Sequence, residues 1–311
     1  MVEHRPVDAV ARVAGTTCER VLDREDRLSI GVGQSLGELR HVGEVGLALG
    51  YEKMRNDEGK MDGALIGKVL GYFSHPDERE GKVYIFPHLF AEVMQTYMQT
   101  HGTTERDFAE ISSREYANGN HNPYAQMQKI QVSLDEAATP EGRNRYIVEG
   151  LPLKTYDCSQ ITDGYAGLIV ATEEGLAKLG IARADTVEIA GWGQATDPLL
   201  KGGRDILKPA GAFAAMNAAY EMAGAGPDDV NVAEIHDCFT VMGAIGTEVI
   251  GKAGYGEGAR YWAEGKADPT GECGINTSGG LIAKGHPVGA TGVAMIGWSM
   301  WQLQGKAPAE L

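Results

Sequence analysis

Apolar and polar positions along the chain change texture several times. VGEVGLALG (42–50) is a short apolar run bounded by glycines, the pattern of a strand covered on both faces. ITDGYAGLIVAT (161–172) runs into a second strand. TEEGLAKLGI (172–181) then shifts to helical spacing, with acidic residues in its first turn where they complement the helix dipole. TVEIAGWGQA (186–195) is predicted as a strand. PAGAFAAMNAAYEMAG (209–224) is predicted as an Ala-rich helix stopped by glycine. VNVAEIHDCF (230–239) reads as a strand, TVMGAIGTEVIG (240–251) as a helix, and the segment 290–305 as a last helix. Strands alternating with helices predict a layered α/β fold. Residues 52–151 are polar and irregular, with helices expected around 89–100 and 104–118. They read as an excursion from the layers. Residues 1–40 carry Arg5, Arg12, Arg20, Arg24, Arg27 and Arg40 with weak apolar periodicity and suggest no element.

Composition narrows the function classes. Glycine supplies 43 of 311 residues, nearly twice the usual share of about 7%. The glycines follow no three-residue period, so they serve turns and close backbone approach. A net charge of −15 opposes a nucleic-acid footprint, which needs a basic face. The longest apolar-leaning stretch, near 292–303, is too short for a bilayer span, and the N-terminus has no secretory h-region. Cys18, Cys158, Cys238 and Cys273 are scattered without a CxxC pair, the pattern of a reducing, cytoplasmic compartment.

Two constellations can carry chemistry. His236-Asp237-Cys238-Phe239 closes a predicted strand. Strand alternation points His236 and Cys238 into one pocket and Asp237 the other way, at the strand end where α/β folds place ligands. A thiol beside an imidazole can be drawn toward thiolate. The competing reading is a buried Cys and a hydrogen-bonded His, and a zinc site lacks further ligands at suitable spacing. The second constellation is the run from Asn276 through Ser278, Gly279 and Gly280 to Gly285-His286-Pro287 and Gly289-Ala290-Thr291-Gly292. A helix starting near Ala290 would set His286 at its positive end, favouring neutral imidazole.

The ordered run NxSGGxxxxGHPxGAxG together with HDCF resembles the thiolase superfamily, above all the sterol-carrier-protein type of thiolase and its acetyl-CoA acetyltransferase relatives. GLALGYEKM (46–54), HNPYAQMQ (121–128) and ITDGYAG (161–167) extend the likeness over roughly residues 42–305. The resemblance implies an α/β thiolase fold, layered αβαβα in two pseudo-repeated halves. Its N-terminal half would comprise 41–51 and 152–182, its loop domain 52–151 and its C-terminal half 183–311, after a divergent segment 1–40. It implies Claisen condensation of acyl-CoA or thiolysis of 3-ketoacyl-CoA. Cys238 would move the α-proton, His236 would bind the thioester oxygen, and His286 would activate the nucleophile and join the same oxyanion site. Asn276, Ser278, Gly279, Gly280 and Gly285 would border the coenzyme A channel, braced by Asn122 and Tyr124. No cofactor or metal is implied beyond the coenzyme A thioester. The implied partners are acyl-CoA, a second copy in a homodimer, and a small zinc-ribbon/OB-fold acyl-CoA-binding protein.

Two parts of the family pattern are not found. The nucleophilic cysteine of such enzymes sits in a CxSG-type motif about twenty residues before the VGLALG strand, and here that stretch reads VLDREDR. Cys18, in TTCERVLDRED, is the nearest candidate. The family's closing strands, with their glycine loop, also lie beyond the chain, so the expectation is a thiolase fold incomplete at both ends. Two further readings follow from this. One is a thiolase-fold retro-aldolase, which lacks the nucleophile but favours tyrosines over HDCF. The other is an inactive coenzyme A-binding or scaffold protein.

Overall fold

The computed structural model describes residues 19–22, 28–31, 44–56 and 58–311. Strands β1 (Glu19–Leu22) and β2 (Leu28–Gly31) pair antiparallel. β3 (Val45–Glu52) pairs antiparallel with β4 (Gly164–Ala171), Val45 facing Ala171 and Glu52 facing Gly164. The excursion between them carries helices α1 (Gly63–Gly71), α2 (Pro76–Arg79), α3 (Ile85–His101), α4 (Glu105–His121) and α5 (Leu134–Ala138). After β4 come α6 (Glu173–Leu179), α7 (Ala210–Ala223), β5 (Val232–Ala233), α8 (Thr240–Val249), α9 (Gly258–Ala263), β6 (Gly274–Ile275) and α10 (Val288–Leu303). β5 and β6 pair in parallel.

The helices start where side chains satisfy their orphan N–H groups. Thr104 and Asp107 form a reciprocal capping box on α4, and Ser133 and Glu136 do the same on α5. Gly180 and Gly224 end α6 and α7 in the left-handed conformation that glycine adopts without steric penalty. The main core lies where α3, α4, α8 and α9 meet, around Met94, Tyr97, Phe108, Ile111, Ile245 and Trp262. No described helix is long and apolar enough to cross a membrane.

Three expected strands differ from expectation. The run at 42–50 forms a strand that is covered on one face only. Gly46, Ala48 and Gly50 face inward, while Val45, Leu47, Leu49 and Tyr51 are exposed. The small inward residues let α10 come down to backbone contact, since a Cβ on Gly50 would lie 2.3 Å from Gly289 O. TVEIAGWGQA (186–195) forms no strand. Gly191 and Gly193 instead press this segment onto α7, so its backbone meets a helix where a ladder partner would have to be. In VNVAEIHDCF only Val232–Ala233 joins a ladder. Beyond it the Asn276 side chain takes over, its Oδ1 accepting from Ile235 N at 2.7 Å.

The contact at Gly193 sets a stability prediction. A Cβ there would lie 1.8 Å from Ala215 O, a backbone atom that cannot swing aside. Gly193→Ala is expected to lower unfolding free energy in urea by at least about 1–3 kcal/mol. Gly202→Ala, with nothing within 4 Å of its Cβ, is expected to stay within about 0.5 kcal/mol. Equal midpoints for the two variants would show that α7 yields to the added methyl.

Candidate active site

The two histidines meet although fifty residues separate them. His236 follows β5, and His286 stands between a π-helical turn (Gly280–Lys284) and α10. Their ring centroids are 5.0 Å apart at 85°, an edge-to-face arrangement. His236 is exposed and His286 is half-buried. Desolvation first and then the nearby Lys284 charge hold His236 well below the ordinary imidazole value. Desolvation, His236 and Lys284 do the same for His286. Both rings are therefore neutral at neutral pH. The sequence expectation of a neutral His286 agrees in direction, but these causes rank ahead of the helix end.

His286 is fixed from several sides. Its backbone N–H donates to Thr162 Oγ1 at 2.9 Å, and its Nδ1 lies 2.7 Å from Thr291 Oγ1. The Thr291 hydroxyl donates to Pro287 O at 3.1 Å. With that proton committed, Nδ1–H donates to Thr291 and Nε2 keeps a free lone pair, the tautomer set by the partner of the other nitrogen. Gly285 precedes it at φ +120°, and a Cβ there would lie 2.9 Å from Thr162 Oγ1.

Cys238 sits two residues before α8, half-buried, with its carbonyl accepting from Ser159 N at 2.9 Å. Its thiol is pushed well above the ordinary value, first by desolvation and then by the Asp237 charge. The sequence left Cys238 open between a thiolate drawn out by the imidazole and a buried thiol, and burial favours the second. The adjoining histidine is neutral and supplies no positive charge, so the resting group is the thiol. The Asp237 carboxylate turns into the protein interior. It is buried and accepts from Leu281 N at 2.8 and 2.9 Å and from Ile282 N at 3.1 Å.

The glycine-rich run lies beneath the histidine pair. Asn276, Ser278, Gly279, Gly280 and Gly285 are all buried. Ser278 N–H and hydroxyl both donate to the buried Glu234, which also pairs with Lys284 at 3.2 Å. The Ser278 side chain is therefore turned into the protein and not toward an open channel wall. The excursion braces this run. Asn122 Nδ2 donates to Ser278 O at 2.7 Å, and Gln126 N–H and Met127 N–H donate to Lys284 O and Ala283 O. Tyr124 is exposed and stacks on Trp301, ring centroids 5.5 Å apart.

Several contributors gave no signal in sequence. Buried Lys154 pairs with Asp157 at 3.0 Å and with Glu105 at 3.3 Å, and Thr240 donates to Asp157 at 3.0 Å. This network anchors the start of α8 directly behind Cys238. Glu115 on α4 and Glu234 before His236 are likewise isolated carboxylates in the sequence, with no motif spacing to mark them. Cys158 is half-buried and Cys273 is buried. Cys18 lies outside the described residues. No group of three or more potential metal ligands occurs among the described residues.

The thiolase C-terminal domain-like family matches residues 194–310, which include both histidines and Cys238. Sterol carrier protein 2 from Rattus norvegicus is 34% identical over 275 residues, covering 84% of this chain and 48% of that protein. The acetyl-CoA acetyltransferase of Methanothermobacter thermautotrophicus is 34% identical over 224 residues, covering 71% and 56%. The chain belongs to the thiolase superfamily. Its fold is the α/β thiolase fold. A solved thiolase-fold neighbour, the Ltp2-ChsH2(DUF35) aldolase, superposes with a TM-score of 0.69 at 21% identity, covering 88% of this chain and 69% of that one. The chain spans about half the length of the curated relatives it matches.

Proposed function

We propose that this chain forms and quenches the enolate of a coenzyme A thioester, as a thiolase-type acyltransferase. The observation that carries the reading is the edge-to-face pair His236–His286, on a backbone pinned from both sides, with Cys238 two residues along the chain from His236. The α-proton of a thioester is much less acidic than a thiol, so its removal needs charge stabilisation on the developing enolate oxygen. A preorganised donor at that oxygen is worth about 3–4 kcal/mol, and His236 is placed to be one. Cys238 is the group that exchanges the α-proton. It rests as a thiol, so it must first lose its own proton; the free Nε2 of His286 is the acceptor, and because burial opposes both thiolate and imidazolium this transfer is uphill until the bound thioester accompanies it. No electrons are transferred, so the step needs no redox cofactor.

Condensation and thiolysis add a covalent acyl-cysteine, for which Cys18 is the candidate nucleophile. Retro-aldol cleavage of a β-hydroxyacyl-CoA passes through the same enolate without that nucleophile, and the aldolase neighbour favours it as the second reading. Retention of Cys238 favours the first. The test uses acetoacetyl-CoA plus coenzyme A, following acetyl-CoA release and acyl adducts on cysteine by mass spectrometry. Turnover with an adduct supports the acyltransferase. No turnover and no adduct, with cleavage of a β-hydroxyacyl-CoA, replaces it by the aldolase.

A further inference from the structure

Two carboxyl groups lie against each other beneath the histidine pair, and neither reaches water. Glu115 on α4 and Asp237 between His236 and Cys238 are both fully buried. Both crowd one point of the backbone, since a Cβ on Gly280 would lie 2.6 Å from Glu115 Oε1 and 2.5 Å from Asp237 Oδ2, and after burial the Asp237 charge is the main influence on Glu115. The donors to Asp237 are the backbone N–H groups of Leu281 and Ile282. Glu115 Oε1 accepts from Asn276 Nδ2 at 2.8 Å. Glu115 Oε2 is buried and receives no donor among the described residues. Two carboxylate oxygens in contact repel unless a proton lies between them, and like charges at that distance do not both ionise.

We propose that Glu115 and Asp237 hold one proton between them, and that this O–H···O bond is a clamp joining the excursion helix to both arms of the active site. Glu115 carries the proton, which removes the like-charge repulsion between the two buried carboxyl groups. Asp237, accepting that O–H···O bond, stays ionised and keeps its bonds to the π-helical turn that leads into His286. Through Asn276 the same glutamate reaches the loop whose side chain completes the strand before His236. Glu115 is thus a positioning residue. The charged groups facing the pair are Glu234, which raises the affinity of Glu115 for its proton, and Lys284, which is paired with Glu234. Burial and the Asp237 charge act on Glu115 in the same direction as Glu234.

The linkage sign follows. A carboxyl that keeps its proton on folding contributes stability that is complete below its unfolded value and is lost as pH rises toward its folded value. Around pH 7.5 the two neutral histidines add little slope, because an unfolded imidazole titrates near 6.5, and the buried thiols add little because an unfolded thiol titrates near 8.5. In this window the unfolding constant of the full chain in urea is expected to rise by up to about tenfold per pH unit. Glu115→Gln keeps an acceptor for Asn276 and a donor for Asp237 and should remove that slope. Superimposable profiles for the two proteins would overturn the proposal. If Glu115→Gln does not fold, the infrared spectrum of the wild type decides. A protonated-carboxyl band at about pH 7.5 that disappears on unfolding supports the shared proton, and its absence from the native state overturns it. The kinetic arm rests on the proposed function: thioester α-proton exchange should fall at alkaline pH in the wild type and not in Glu115→Gln. A chain without exchange activity would count against that function, while the urea and infrared readouts still decide the proton.

Discussion

His286→Ala is expected to slow deuterium incorporation into acetyl-CoA in D2O by about 10²–10⁴-fold, the usual contribution of a positioned acid–base group. The exchange assay isolates enolate formation, so it is independent of which residue is the acyl nucleophile. The expectation rests on geometry. Thr291 takes the Nδ1 proton and Thr162 fixes the backbone, leaving Nε2 as an unprotonated acceptor. Desolvation, His236 and Lys284 all resist protonation of the ring. Activity in the wild type should therefore persist as pH falls through about 6.5, where an ordinary histidine would titrate, and decline only at lower pH. A loss under about tenfold in His286→Ala, with unchanged thermal unfolding, would remove His286 from the proton path. An acidic limb centred near 6.5 would show that the site fails to suppress the imidazolium.

Cys238→Ala should reduce exchange to a similar degree, and Cys238→Ser should not restore it, because a hydroxyl is a far weaker acid than a thiol. A direct probe of the resting state is alkylation by iodoacetamide with mass-spectrometric mapping. Burial and the Asp237 charge keep Cys238 protonated, and the thiolate is the reacting form. Alkylation at neutral pH is therefore expected to be slower than for a free cysteine, and to keep rising beyond about pH 9, where a free thiol has already ionised. Fast alkylation at neutral pH would reveal a resting thiolate and reverse the proposed order of proton transfers. Normal exchange in Cys238→Ala would assign the α-proton to another base.

Much of this site was legible from sequence because its chemistry sits in contiguous strings. HDCF and the run ending in GHP each keep their residues within a few positions of one another. The glycine surplus also had local meaning. Gly285 takes a positive φ that brings the backbone to Thr162, and Gly50 lets α10 touch β3. The supporting carboxylates were not legible. Glu115, Asp157 and Glu234 look like ordinary surface acids in their local sequence, and only long-range packing removes them from water. Which of the two readings of Cys238 applies was not legible for the same reason: adjacency in the chain does not reveal burial, and burial dominates the thiol's proton affinity.

The sequence by itself determined the longer helices, the thiolase resemblance and the candidate residues His236, Cys238 and His286. These depend on local periodicity and on short strings whose spacing is fixed by the chain. Tertiary structure decided which faces are covered and which segments find ladder partners. Val45, Leu47, Leu49 and Tyr51 lie exposed, and 186–195 stays outside any sheet. It also decided the protonation states of the site, because a proton's affinity depends on solvent access and on charges brought close from distant parts of the chain.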